Sequence, residues 1–198
     1  RLYDLKLFNK YEAFFLITND AELEKKKTIE PLYNIMKKNK KIGIISPCSK
    51  EWGEKKFLKK QKTKYFWFIH NHAYFLNKEF LNKIINPKSG YMNFLFDGSN
   101  FRGYGLESEL IAKAYANDFA AAITTSAYVE ENENHLLNKH DLIKTETYSK
   151  NLQLLHKEGI SWLKKKYGFG NKWLLQNYVK LFYDQFFENN PEQKRYKI

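Results

Sequence analysis

The sequence has little cysteine and no long apolar run, and both absences restrict what the protein can be. Its 198 residues include a single cysteine, Cys48, so no disulfide can form within the chain and a cysteine-based metal site is not expected. A reducing compartment suits this composition. No apolar stretch approaches the roughly 20 residues that a membrane-spanning helix requires. We therefore expect a cytoplasmic protein that touches the inner face of the membrane only peripherally, if at all.

Proline, glycine and arginine are also scarce. Four Pro and nine Gly are too few for a collagen-like or linker-like chain, and 43% hydrophobic residues exclude an intrinsically disordered one. The formal net charge is +12, yet Arg occurs only at Arg1, Arg102 and Arg195. Arginine is the residue best suited to bind phosphates in a bidentate manner and to read bases. Because it is scarce in this sequence, nucleic acid is not the favoured partner. A basic module that binds nucleic acid or an acidic glycan without catalysis is the main alternative to an enzyme.

Apolar runs of strand length alternate with helical patterns through the first 130 residues. A continuous apolar run that starts at Phe14 predicts a central strand covered on both faces. Further strands are predicted at 42–47, 65–76 and 119–126, and helices at 28–41, 78–85 and 106–117. This alternation is typical of an α/β fold, in which helices flank a mixed sheet.

The composition changes after residue 130. A strongly polar stretch over 130–140 predicts a boundary between an α/β domain at 1–130 and a helical appendage at 131–198. Helices are predicted there at 142–158, 159–167 and 171–189, and the tail from Asn190 is predicted to fray. The lysines at 164–166 lie among aromatic residues, a pattern that fits either contact with an anionic membrane or ordinary helical packing.

The run that starts at Phe14 ends in Thr-Asn-Asp-Ala-Glu, which brings two carboxylates to the end of the predicted strand. Because residues two apart in an extended chain share a side, Asp20 and Glu22 are predicted to lie together. Open α/β sheets bind ligands at the carboxyl ends of their strands, and hard oxygen ligands suit Mg²⁺ or Mn²⁺ bound to substrate phosphates. Alternatively, Asn19 and Asp20 form a turn and Glu22 is solvated.

A second candidate lies where a glycine-containing loop meets the predicted helix at 106–117. Apolar residues recur every four positions in this helix and predict its buried side, which leaves Glu107 in the first turn beside the loop. A carboxylate there could act as a general base on an attacking hydroxyl. The alternative is that Glu107 complements the helix dipole while Glu109 pairs with Lys113 on the surface.

A third candidate is the aromatic segment at 65–76, in which His70 and His72 occupy alternate positions. Both imidazoles are predicted to face the same side of a strand. The pair could bind zinc, but no third ligand lies nearby in the sequence. Tyr65 and Trp67 favour a platform on which a sugar ring stacks, and ordinary packing of aromatic rings and histidines explains the pattern equally well.

In this order and at these spacings the candidates resemble the nucleotide-sugar glycosyltransferases of the GT-A fold, in particular the large inverting group called family two. Members carry a strand that ends in an Asp-x-Asp-like element, followed by a helix and a strand. An aromatic segment on the acceptor side comes next, and then a Glu-Asp-x-Asp-Leu element that opens a helix. The matching segments in this sequence lie at 16–22, 42–47, 67–76 and 106–110.

The resemblance implies a role for each of these residues. Asp20 would hold Mn²⁺ or Mg²⁺ on the donor diphosphate, assisted by Asn19 or Glu22. Glu107 would deprotonate the acceptor hydroxyl, and the sugar would move with inversion from a nucleotide-sugar to a saccharide or a lipid-linked acceptor. The residues on the acceptor side would be Trp67, His70 and His72.

The match also departs from the family pattern. Thr18 or Asn19 stands where the first Asp of the usual triplet is found, and the Glu-Asp pair is replaced by Leu-Glu at 106–107. The resemblance spans 14–129, the second half of such a domain, so the strands that hold the nucleotide base are expected to precede Arg1. A degenerate, non-catalytic scaffold of the same type is the third possibility.

Overall fold

The computed structural model describes residues 3–6, 8–24, 27–50, 54–58, 62–70, 72–89, 93–132 and 147–198. The strands are β1 (Ala13–Ile17), β2 (Ala21–Leu23), β3 (Ile42–Cys48), β4 (Thr63–Tyr65), β5 (Ala73–Asn77) and β6 (Ala120–Glu131). The α-helices are α1 (Ile29–Lys38), α2 (Glu54–Leu58), α3 (Lys78–Ile84), α4 (Leu106–Ala116), α5 (Tyr148–Tyr167) and α6 (Lys172–Asn189). Short 3-10 helices lie at Phe8–Lys10, Pro87–Ser89 and Pro191–Tyr196.

The strands form a mixed sheet in the order β1-β5-β3-β6-β2, and β4 also pairs with β6. β3 and β6 are parallel, and β5 is antiparallel to both β3 and β1. Hence β1, β3 and β6 run in the same direction, whereas β2 and β4 run against β6. A mixed sheet with helices packed on it confirms the predicted α/β class. The predicted helices at 78–85 and 106–117 are confirmed as α3 and α4.

β3 lies at the centre of the sheet and is covered on both faces, since all seven of its residues are buried. Leu32 of α1 and Phe80 of α3 belong to the hydrophobic core that surrounds it. Gly43 is required in this strand because a Cβ atom there would lie 2.8 Å from the Cβ atom of Phe119. The strand predicted at 42–47 is therefore confirmed as a core element.

β1 is an edge strand, so the prediction of a central strand from Phe14 is wrong. It lies at the end of the strand order and pairs with β5. Leu16 and Ile17 are each 42% exposed. Phe14 stacks on Phe8 with 4.3 Å between ring centroids, so its apolar character is explained by local ring packing at the sheet edge.

The predicted strand at 65–76 is interrupted. β4 ends at Tyr65 and β5 begins at Ala73, with irregular backbone between them. The amide of Phe66 donates to the carbonyl of Ala121 with an N–O distance of 2.9 Å. β4 is therefore followed by one more backbone hydrogen bond to β6 before the chain leaves the sheet.

The carboxy-terminal helix α6 shares the hydrophobic core of the sheet. Val179, Tyr183 and Phe186 of α6 are nearly fully buried and belong to the same apolar cluster as the residues of β3. The helix predicted at 171–189 is confirmed as α6. Because α6 contributes to that cluster, α6 packs onto the sheet.

α5 is a single helix across Gly159, where the sequence predicts a break between two helices. A Cβ atom at Gly159 would overlap the side chain of Tyr104, so the glycine makes room for a packed ring and does not end the helix. Residues 142–146 of the first predicted helix lie outside the described residues.

The carboxy-terminal tail is docked, so the prediction that it frays is wrong. It forms the 3-10 helix Pro191–Tyr196. The buried side chain of Gln193 accepts hydrogen bonds from the Tyr65 hydroxyl at 3.0 Å and from the Asn39 amide at 3.1 Å. Tyr196 stacks on Tyr65 with ring centroids 4.9 Å apart. Tyr65 is thus fully buried beneath the tail, and it cannot be the stacking platform that the sequence suggested.

Replacing Gln193 with Leu should lower the free energy of unfolding by about 1–3 kcal/mol, because the Tyr65 hydroxyl loses its acceptor in a buried site. Urea denaturation followed by circular dichroism measures this change. Lys194→Gln, at an exposed neighbouring position, is the control and should stay within about 0.5 kcal/mol of the wild type. Equal stability of Gln193→Leu and the wild type would mean that the hydrogen bonds of Gln193 contribute nothing to the free energy of unfolding.

Candidate functional site

The carboxyl ends of β1, β3 and β6 meet at one edge of the sheet, because these strands run in the same direction. β5 is antiparallel to them and therefore starts at this edge. We call this edge of the sheet the carboxyl edge. It comprises residues 18–20 after β1, the end of β3, His70 and His72 before β5, and the distal half of β6. β2 returns along β6 from there, with Ala21 opposite Glu131. Ligands of open α/β sheets bind at such an edge.

Asp20 lies in a tight turn at the carboxyl edge. The Thr18 backbone anchors the turn, since its amide donates to the carbonyl of His72 at 2.9 Å. The amide of Asn132 donates to the carbonyl of Asp20 at 2.8 Å and fixes the other side. Oδ1 of Asp20 is buried and has no hydrogen-bond partner among the described residues. A buried carboxylate oxygen without a donor is uncommon in folded proteins, and it leaves lone pairs available for a ligand.

His70 and His72 stack on each other at the carboxyl edge, with ring centroids 4.6 Å apart. Each is 3% exposed. Nε2 of His70 lies 3.2 Å from Oγ of Ser46, and Nε2 of His72 lies 3.4 Å from a carboxylate oxygen of Glu131. The two imidazoles thus share a side, as their spacing predicts, although the backbone that carries them is irregular.

The pKa of His72 is lowered. Burial is the largest cause, and the neighbouring His70 lowers the pKa further, whereas Glu131 and Asp20 act in the opposite direction. The influence of both carboxylates shows that Asp20, His72 and Glu131 form one electrostatic cluster. The described part of the chain contains no group of three or more His, Cys, Asp or Glu side chains arranged to hold a metal ion.

Glu22 does not share the side of Asp20 that sequence alternation predicts. Asp20 belongs to a turn, so the extended geometry on which the prediction depends begins only with β2. Glu22 and Asn19 are exposed, and Glu22 accepts a hydrogen bond from the Asn132 side chain at 2.9 Å. The carboxylate that meets His72 belongs to Glu131. Sequence reasoning missed Glu131 because it ended the last strand near residue 126, five residues before β6 ends.

Glu107 lies in the first turn of α4, and only residues 117–119 join α4 to the start of β6. Such a short connection favours an antiparallel course of α4 along β6, which would bring its first turn toward the carboxyl edge. Gly105 precedes the helix with a φ of 80°, a left-handed conformation that glycine adopts without strain. This turn directs the chain into α4 and fixes the position of Glu107.

Glu107 is buried and paired with a cation, so its environment includes more than the helix dipole that the alternative invoked. Its side chain is 5% exposed and forms an ion pair with Lys172, the first residue of α6. Nζ of Lys172 also lies 5.5 Å from the centroid of the Tyr104 ring. The sequence offered no sign of Lys172, because it lies far along the chain in a different helix.

Glu109 is also buried, and its main contacts are not with Lys113, the surface partner that was the alternative. Lys113 lies 4.0 Å away, whereas Lys166 and the Tyr167 hydroxyl donate to Glu109 at 2.7 Å and 2.9 Å. Burial raises the pKa of Tyr167, and the adjacent Glu109 raises it further. Lys166 donates to Asp97 as well, at 2.7 Å. These contacts clamp the end of α5 onto α4 and the loop before it.

Trp67 lies against α6. Its ring meets Tyr183 edge-on at a centroid distance of 5.2 Å, and Nζ of Lys180 lies 5.6 Å from the ring. Its neighbour Phe66 stacks on it at 4.8 Å. These contacts are those of a packed, half-buried ring. The described contacts do not join Trp67 to the two histidines, so a shared acceptor surface of these three residues stays a prediction.

Comparisons of the chain with protein-family models, with curated proteins and with solved structures found no match in any of the three. Within the described residues, none of the helices combines the length and the apolar character needed to cross a bilayer.

The hydrogen bonds that Asp97 accepts from Lys166, Ser99 and Trp162 should make the stability of the protein depend on pH. Burial alone would raise the pKa of the Asp97 carboxyl, but hydrogen bonds from Lys166, Ser99 and Trp162 outweigh it and hold the pKa well below its ordinary value. An aspartate whose pKa is lower in the folded protein stabilises it above the unfolded-state pKa of about 3.9, and this contribution is lost as the pH falls through the folded-state pKa.

Asp97→Asn should therefore lower the melting temperature at neutral pH, and its difference from the wild type should shrink below about pH 4. Thermal unfolding across the acid range measures this. Glu30→Gln, which removes an exposed carboxylate of α1, is the control and should follow the wild type. A difference between Asp97→Asn and the wild type that is the same at every pH would contradict the assignment.

Proposed function

We propose that the chain carries the diphosphate and acceptor parts of an inverting, metal-assisted glycosyltransferase that uses a nucleotide-sugar donor. The observation that carries this proposal is a pair of separate acidic groups: Asp20 at the carboxyl edge, whose buried Oδ1 has no hydrogen-bond partner among the described residues, and Glu107, buried in the first turn of α4. An inverting transfer needs one acidic group at the donor diphosphate and another at the acceptor hydroxyl. In this proposal residues 1–130 form the GT-A-like part, and 131–198 form the helical region that supports it.

Asp20 is the proposed donor-side residue. Among the described residues no donor reaches its buried Oδ1, and a hard carboxylate oxygen in that state fits Mg²⁺ or Mn²⁺. Such an ion, when bound, would neutralise the charge that develops on the departing nucleoside diphosphate. Magnesium commonly keeps only one or two protein carboxylates beside waters and substrate phosphates, so a sparse ligand set is compatible with it. Asn19 and Glu22 would assist from the exposed side of the turn.

Glu107 is the proposed general base. The acceptor oxygen forms a bond to the anomeric carbon while the bond from that carbon to the diphosphate oxygen breaks. The acceptor proton passes to Glu107, and the configuration at the anomeric carbon inverts. The ion pair with Lys172 supports this role, because it holds the carboxylate in one orientation within a buried turn.

The two histidines are the proposed acceptor-side groups. Burial is the largest cause of the lowered pKa of His72, so this imidazole is neutral near pH 7. Trp67 would stack against a sugar only if the acceptor extended toward α6. The acceptor is a saccharide or a lipid-linked saccharide in this proposal.

Asp20→Asn in the full-length protein should weaken Mn²⁺-dependent binding of UDP or GDP by on the order of 100-fold, because it removes the charged ligand. Titration calorimetry with and without MnCl₂ measures this. Glu22→Gln should have a smaller effect, since Glu22 is exposed and engaged by Asn132, and Glu30→Gln should have none.

The alternatives predict other results in the same titrations. A basic binding module would bind polyanions with an affinity that falls steeply as salt rises, and Asp20→Asn would leave that affinity unchanged. A degenerate scaffold would bind no divalent ion. Either result would overturn the donor-side assignment.

Glu107→Gln should lower turnover by at least about 100-fold and leave Mn²⁺-dependent nucleotide binding intact, because it removes the base without removing the donor site. Release of nucleoside diphosphate from a panel of nucleotide-sugars, with monosaccharides and a membrane lipid extract as acceptors, measures turnover. Circular dichroism verifies the fold, since this variant also loses the charge that faces Lys172. Turnover at the wild-type level in a folded Glu107→Gln protein would exclude the base assignment.

A further inference from the structure

α6 exposes a cluster of large apolar side chains near its start. Trp173 is 70% exposed, Leu174 44%, Tyr178 37% and Leu181 65%. At 100° per residue these four positions span about 140° on one side of the helix. The opposite side of α6 packs into the core. We call these four side chains the α6 apolar face.

This face is unusual among the described helices. Of the helical side chains whose exposure is described outside α6, Ile29 and Leu152 are the exposed large apolar ones, and each stands alone on its helix. Single exposed apolar residues are ordinary on protein surfaces, whereas a group on one helix face marks an interaction surface. The α6 apolar face therefore indicates a binding partner that offers apolar groups.

Positive charge lies next to the α6 apolar face. Residues 168–171 are all that separate the last turn of α5 from the first turn of α6, so Lys164 and Lys165 lie at the same end of this helical hairpin as Trp173. Both lysines are exposed, and within the described residues neither forms an ion pair. Lys166, by contrast, forms ion pairs with Asp97 and Glu109.

A second copy of the chain could cover the apolar side chains in a two-fold contact, but that contact gives Lys164 and Lys165 no role. An anionic lipid surface offers the matching chemistry. Headgroups meet the lysines while Trp and Leu side chains enter the boundary between headgroups and acyl chains.

We propose that the α6 apolar face, with Lys164 and Lys165, docks the protein onto the surface of a bilayer that contains anionic lipid. α6 is tilted relative to the bilayer surface, and only its amino-terminal half is inserted, shallowly. Asp184 and Glu188, near the far end of α6, stay away from the headgroups. This inference does not depend on the proposed transfer reaction.

Sedimentation of the full-length protein with phosphatidylcholine–phosphatidylglycerol vesicles tests the proposal. The wild type should bind these vesicles and bind pure phosphatidylcholine vesicles at least about tenfold more weakly. Lys164→Gln/Lys165→Gln should weaken binding to the mixed vesicles by about tenfold or more. Trp173→Ser/Leu181→Ser should weaken binding to a similar extent, because it removes the inserted apolar area.

Two control variants match these changes elsewhere on the protein. Lys38→Gln/Lys40→Gln removes the same charge from the end of α1, and Ile29→Ser removes a side chain that is 58% exposed. Both should bind the mixed vesicles like the wild type. Equal losses in test and control variants would overturn the proposal in favour of diffuse attraction by net charge. A dimer in light scattering that Trp173→Ser/Leu181→Ser dissolves would overturn it in favour of a second copy.

Discussion

Parallel pairing of β3 with β6 defines the carboxyl edge, at which Asp20, His72 and Glu131 lie. The two strands run the same way, so their carboxyl ends form one edge of the sheet. β5 enters the sheet antiparallel and delivers His70 and His72 to the same edge. The residues of β3 are all buried, so the pairing is shielded from water on both faces. A change that broke this pairing would separate Asp20, His70 and His72 from Glu131.

The carboxy-terminal helices explain how two glutamates can be buried in the first turns of one helix. An unpaired carboxylate in such a place would cost several kcal/mol, on the order of the penalty for a lone buried ion. Lys172 of α6 faces Glu107, and Lys166 of α5 faces Glu109, so each acid has a cation from a different helix. The helical region is thus an electrostatic complement of α4 as well as an apolar cover for it.

The sequence predicts those elements whose own residues define them. β3, α3, α4 and α6 combine a clear hydrophobic period with capping or breaking residues, and their predicted bounds are close to the observed ones. β1 is different, since a continuous apolar run looks the same at a sheet edge as at its centre. The pairs Glu107–Lys172 and His72–Glu131 join segments far apart in the chain, and no local pattern encodes such contacts. The docked tail was missed for the same reason, because Tyr65 and Gln193 meet only after the sheet has formed.

The position of Lys172 has a mechanical consequence. It is the first residue of α6, immediately after the turn that follows α5, and its ammonium group faces a carboxylate of α4 that is 5% exposed. If the hairpin rotated away from α4, the carboxylate would lose its counter-charge in a site that water cannot readily reach. The ion pair therefore opposes separation of the hairpin from the first turn of α4, and the cost of opening falls on a single buried charge.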